Sequence, residues 1–109
     1  MNTATSPGTR VLEDVDTDAS LEPPYHLILL DDQHHTYQYV IRMLGDLFGY
    51  GPEKGFAIAC VVDSQGQAVV LTAGKEEATR KQDQIHSYGA DPFMETSAGS
   101  MSAIIEPVA

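Results

Sequence analysis

The stretch from Tyr25 to Leu44, YHLILLDDQHHTYQYVIRML, changes its period halfway along, and that change does most to limit what the chain can fold into. Its first part, YHLILLD, is short, apolar and bounded by Pro24 and aspartate, which suits a strand buried on at least one face. From Tyr37 the apolar positions Tyr37, Val40, Ile41, Leu44, Leu47 and Phe48 fall at the spacing of one helix face. Thr36 stands where its hydroxyl accepts from a free N–H of the first turn, and Gly49 where a left-handed residue ends the helix. Between strand and helix lie five polar side chains in a row, Asp31, Asp32, Gln33, His34 and His35. A solvated turn would explain that run, and so would a binding site for something cationic or metallic.

The rest of the chain supplies the partners that such a strand and helix need. GPEKGFAIACVVDSQG reads as a second helix, with Pro52 in its first turn and Gly66 beyond its end. Phe56, Ala59, Cys60 and Val62 are expected to face inward, and the run is apolar enough for a strand to compete. QAVVLTA reads as a strand, and KEEATRKQDQIHSY as a polar helix with a thin apolar stripe through Ala78, Ile85 and Tyr88 or Gly89. The loop GADPFMETSAGS leads to a last strand, MSAIIEP. The expected fold is α+β, a small three-stranded antiparallel sheet covered by three helices in the order β-α-α-β-α-β.

Residues 1–22 hold few large apolar side chains and five acids against one arginine, a composition that does not offset the entropy of ordering. They are expected to form a flexible acidic tail. Pro23 and Pro24 mark the edge of one domain, residues 23–109, because proline disfavours helix in the residue before it.

Sixteen acidic against six basic residues give a formal net charge of −10, which repels phosphate backbones and anionic head groups. Nucleic acid and membrane are therefore not expected partners. No apolar run approaches the roughly 18 residues that span a bilayer, and no basic region is followed by an apolar one at the start. The expected location is the cytoplasm. The single cysteine, Cys60, sits among apolar residues in AIACVV and is expected to be a buried, inert thiol.

Asp31, Asp32, His34 and His35 offer oxygen and nitrogen ligands, yet their spacing matches neither a helical zinc pair nor a calcium loop, so no metal or other cofactor is expected. No Gly-x-Ser-x-Gly elbow and no Gly-rich phosphate cradle occurs, which argues against an enzyme. A cation site has the better physical support. Asp31 and Asp32 end a strand just before a helix, and their carboxylates repel unless a positive group or donors lie between them. Asp63, at the end of the second helix, is placed to reach the same rim if the two helices pack. Such acids around an apolar floor suit a ligand with a positive head and a greasy side chain.

Three ordered matches then resemble a known family. An apolar strand runs into LLDDQHHTYQYVIRML, a later strand and helix read GQAVVLTAGKEEATRK, and the last strand ends in IIEP. Together they resemble the ClpS adaptors, which deliver proteins with destabilising N-terminal residues to the AAA+ unfoldase of the Clp protease. The resemblance implies that Asp31, Asp32, His35 and Asp63 take the positions that hold a substrate's α-amine, with Gln33 where the family has a second Asp. It places Tyr37 at the family's gating Met, and Val40, Ala59, Val62 and Met101 around the apolar pocket. Ala59 stands for a Met, Asp63 for a His and Met101 for a Leu. Asp31 and Asp63 remain acceptors for an ammonium, now charged ones. The resemblance further implies a monomeric adaptor without catalytic activity whose Glu76 and Lys81 contact the unfoldase's N-terminal domain. The alternative is a diverged paralogue that keeps the unfoldase contact and recognises another ligand, since fold does not fix function.

Overall fold

The structure is a computed structural model and describes the backbone at Asp14–Val15 and residues 23–109. The elements run β1 (Asp14–Val15), β2 (Pro24–Leu30), α1 (Tyr37–Phe48), α2 (Pro52–Gln65), β3 (Gln67–Gly74), α3 (Lys75–His86) and β4 (Ser102–Pro107). Strands β2, β3 and β4 form the expected antiparallel sheet with β2 in the centre. Two residues of the stretch expected to be a flexible tail, Asp14 and Val15, add a short parallel edge by pairing with Leu71 and Thr72 of β3. The reason is that an edge strand presents unpaired N–H and C=O groups to any extended segment in reach. The remainder of residues 1–22 lies outside the described residues.

Local chemistry sets the helix ends. The Thr36 hydroxyl accepts from the N–H of Tyr39, and Gly49 takes the left-handed conformation at φ 73° while its N–H donates to the Gly45 carbonyl and that of Tyr50 to the Leu44 carbonyl. α2 begins at Pro52 and stops at Gly66, again left-handed at φ 85°. The helical reading of this segment therefore prevails over the strand reading.

One face of the sheet and the three helices enclose a single buried cluster. Leu27 and Leu29 of β2, Val70 of β3 and Ala103 of β4 meet Val40, Met43 and Leu44 of α1, Ile58, Ala59 and Val62 of α2, and Ile85 of α3. Each fully buried Leu, Ile or Val contributes about 1.5–3 kcal/mol, so this cluster and not helix propensity holds the helices in place. Close approach of α1 and α2 depends on Gly55: a methyl there would lie 3.2 Å from the Cα of Ile41.

The inward face of α2 differs from expectation. Ala59 and Val62 are buried, but Phe56 is 52% exposed and Cys60 is half-buried, because the seam against α1 runs through Gly55, Ile58, Ala59 and Val62 instead. On α1 the buried stripe also takes in Tyr39 and Met43, one position beside the expected face.

Candidate functional site

Strand register brings the site together. Leu30 at the end of β2 pairs with Gln67 at the start of β3 and with Ser102 at the start of β4. The residue after Leu30, Asp31, therefore stands beside the end of α2 on one side and beside Met101 on the other. A hydrogen bond of 3.0 Å from the Asp31 N–H to the Gly66 carbonyl fixes this corner. Asp63, one turn before Gly66, is thereby held at the same rim.

The result is a recess of about 230 Å³ lined by Asp31, Gln33, His35, Tyr37, Val40, Ala59, Val62, Asp63 and Met101. Val40, Ala59, Val62 and Met101 are buried and form apolar walls; Asp31, Gln33 and Asp63 give the rim its oxygen acceptors. Of the residues expected to hold the amine or to form the apolar pocket, all except Asp32 line this recess, as does Gln33.

The polar run answers to two demands at once. The Asp31 carboxylate accepts from the N–H of Gln33 at 3.1 Å and the Asp32 carboxylate from the N–H of His34 at 2.9 Å, two overlapping turns of the kind Asp favours. They carry Gln33 into the left-handed region at φ 63°, unusual for a residue with a side chain. Asp32 turns away from the recess and meets the Nδ1 of His35 at 2.8 Å. On the other side of the ring, Nε2 lies 2.7 Å from the Gly99 carbonyl and 3.2 Å from the Ser97 hydroxyl. Both ring nitrogens of His35 thus have an oxygen partner within hydrogen-bond reach. His35 was expected to hold an amine; its nitrogens are instead taken up in bracing the rim, its side chain being only 3% exposed.

Asp91, which sequence reasoning missed, completes the brace. It is 3% exposed; its two carboxylate oxygens accept from the N–H of Thr36 at 2.6 Å and of Phe93 at 2.8 Å. Burial pushes this carboxyl up, but those donors and the neighbouring His35 outweigh it and hold the group below its ordinary range. The loop carrying Asp91 is thus tied to the start of α1. Tyr39 adds a second tie, its hydroxyl donating to the Gly89 carbonyl at 2.5 Å. The only sequence signal for Asp91 was its place in a loop that begins GADPF, which says nothing of a partner 55 positions away.

Across the recess mouth the Tyr37 hydroxyl donates to Asp63 at 2.7 Å, joining α1 to α2. That bond comes first among the causes that raise the Tyr37 phenol to about 12. The Tyr37 ring meets Phe56 edge-on, with centroids 5.6 Å apart.

Glu76 and Lys81 do not share a surface. They are five residues apart on α3, about 140° around its axis. Glu76 lies on an exposed face with Lys75, Thr79, Arg80 and Asp83. Lys81 points back to α1, where its ammonium donates to the Leu47 carbonyl and lies 5.2 Å from the Phe48 ring centre. Burial there, and then the charge of Arg80, lower its affinity for a proton.

Among the described residues no group of three His, Cys, Asp or Glu side chains could hold a metal ion, and no helix is long and apolar enough to cross a membrane.

Known proteins resemble this chain in sequence and in shape. A ClpS protein from Neisseria meningitidis serogroup B is 31% identical over 65 residues, covering 58% of this chain and 65% of its own length. This chain therefore spans just under two thirds of that relative. A ClpS protein from Salmonella arizonae is 30% identical over 84 residues, covering 75% of this chain and 78% of its own length. Among solved structures, Agrobacterium tumefaciens ClpS2 bound to L-phenylalaninamide superposes with a TM-score of 0.68 at 20% identity, covering 78% of this chain and 96% of that one. That likeness speaks to the fold. Residues 20–92 match the family described as the ATP-dependent Clp protease adaptor protein ClpS, and with two thirds of its residues inside that match the chain belongs to the ClpS family.

Proposed function

We propose that this chain is an adaptor that grips the N-terminal residue of a substrate protein, a free α-amine with a large apolar side chain, and presents it to the AAA+ unfoldase of the Clp protease. One observation carries the reading: a single recess has carboxylates from two segments at its mouth and apolar side chains in its walls. An ammonium is a donor without acceptor capacity, so Asp31 and Asp63 suit it, while Val40, Ala59, Val62 and Met101 suit an apolar side chain. Phenylalaninamide, the ligand of the structurally similar ClpS2, combines those two features. In this reading Asp32 and His35 act through the rim they brace, and Tyr37 stands at the mouth.

The chain works as a cytoplasmic monomer without catalytic activity, and it needs no cofactor. Residues 23–109 form the adaptor domain. The segment before them is what the unfoldase engages, so removing residues 1–20 should spare peptide binding and impair degradation. Glu76 and Lys81 contribute to the contact with the unfoldase's N-terminal domain, Glu76 by its exposed charge.

The test is a matched set of peptides beginning with Leu, Phe or Tyr, each with a free and an acetylated amine. Hydrogen bonds to charged groups contribute about 1.5–3 kcal/mol, so acetylation should weaken binding about tenfold or more. Equal affinity for both forms would refute amine recognition and favour the diverged paralogue with another ligand.

A further inference from the structure

The lining of the recess is rich in acceptors and short of donors. As carboxylates, Asp31 and Asp63 only accept, and the apolar walls have no N–H or O–H to give. The Tyr37 hydroxyl already donates to Asp63 at 2.7 Å, and the ring nitrogens of His35 are taken up by oxygens behind the rim. The loop backbone is committed too: the N–H groups of Asp31, Gln33 and His34 bond to Gly66, Asp31 and Asp32. Gln33 is the exception. Among the described residues its carboxamide has no partner, so of the side chains lining the recess it is the one with uncommitted N–H donors. Its backbone stands at φ 63°, in the left-handed region that a residue with a long side chain seldom adopts. Strain of this kind persists only where the surroundings impose it, and it gathers at binding sites. Here the Asp31 and Asp32 carboxylates impose it, by accepting from the N–H groups of Gln33 and His34.

We propose that Gln33 is a specificity-determining residue: its carboxamide donates to the first carbonyl oxygen of the ligand while Asp31 and Asp63 hold the amine. This rests on the reading of the recess as an amine site. In an amino-terminal residue the carbonyl oxygen is three covalent bonds from the amine, so a ligand gripped at Asp31 carries that oxygen close by. Gln33 stands two positions on in the same turn, tied to the Asp31 carboxylate by its own N–H at 3.1 Å. The ammonium brings donors only, and the rim carboxylates meet them; the carbonyl brings an acceptor, which a rim of carboxylates alone would leave without a donor. A carboxamide holds an N–H and a C=O on one group, and so serves the carbonyl without repelling the cation. The class of ligand selected is then an amine followed by a carbonyl, as in a peptide or an amino-acid amide, over a plain alkylamine with the same side chain.

The test compares L-phenylalaninamide with 2-phenylethylamine, which keeps the amine and the ring but lacks the carbonyl. Both are measured at about pH 6, below the range in which α-amines lose their proton. A net hydrogen-bond contribution of the usual size corresponds to about two- to tenfold in affinity, and wild type should prefer the amide by that factor. Gln33→Gly removes the carboxamide and suits the left-handed backbone, so it should abolish the preference while raising the temperature of thermal unfolding. Gln33→Glu keeps the size of the side chain, replaces the donor by a carboxylate and strengthens the hold on both cations; the preference should again disappear. A preference that survives in either variant, or a Gln33→Gly variant that weakens both ligands by one factor, would overturn the assignment. Failure of the underlying reading looks different: wild type would then bind the free and acetylated peptides alike.

Discussion

The recess and the exposed face of α3 both carry several charged or polar residues, but they are built in different ways. The recess draws on the loop after β2, on α1, on α2 and on Met101 before β4, so it exists only when those segments close around it. The α3 face takes Lys75, Glu76, Thr79, Arg80 and Asp83 from one helix, where Arg80 pairs with Glu77 on the turn before. Any folded α3 displays it. Distant changes that loosen the scaffold should therefore reach the recess and leave the α3 face alone, and that asymmetry can be broken by experiment.

The largest expected effect comes from filling the recess. Ala59→Phe puts a ring where Ala59 now lines the wall, and peptide affinity should fall about 100-fold or more, a loss of about 2.7 kcal/mol. Retention of the unfoldase's N-terminal domain in a pull-down should not change. Loss of both together would mean that the two surfaces are not separate.

Next comes the brace behind the rim. Asp91→Asn presents an amide to N–H groups that need acceptors, and should cost about 1–3 kcal/mol in urea unfolding together with weaker peptide binding. Its pH dependence follows from the sign of the shift. The Asp91 carboxyl is held below its ordinary range, so its contribution to stability is present above that range and is lost as the pH falls through the lowered value. Wild type and Asp91→Asn should therefore converge in stability under acid and separate near neutrality. Parallel profiles would show that Asp91 is not the titrating brace.

Smaller still is the effect of Lys81→Ala. It removes the donor to the Leu47 carbonyl and the cover over Phe48, and should cost about 1 kcal/mol of stability in thermal unfolding. Glu76→Ala, on the exposed face, should stay within about 0.5 kcal/mol. If both substitutions weaken unfoldase binding but only Lys81→Ala lowers stability, then Lys81 acts by holding α3 against α1 and Glu76 by direct contact. Equal stability losses would erase that distinction.

Sequence alone determined the parts of this protein that depend on near neighbours. Thr36, Gly49, Pro52 and Gly66 marked helix ends because capping and left-handed conformations are decided within a turn, and the change of period after Leu30 marked strand against helix for the same reason. Ordered motifs along one chain were also enough to indicate the family and to gather most of the residues that line the recess. Only the tertiary structure decided what each polar group does there. Asp31 and Asp63 remain at the mouth, whereas Asp32 and His35 are drawn into the brace, because the ring of His35 finds Gly99 64 positions away. Asp91 meets Thr36 across 55 positions and Tyr37 meets Asp63 across 26, so no local pattern distinguishes these acids from solvated ones. Exposure of Phe56 was likewise settled by which stripe of α2 lay against Ile41, with Gly55 allowing the close approach. Hydrogen bonds and packing of this kind follow from where strands and helices end up in space, and the strand register that puts Asp31, Asp63 and Met101 at one corner is a property of the closed sheet.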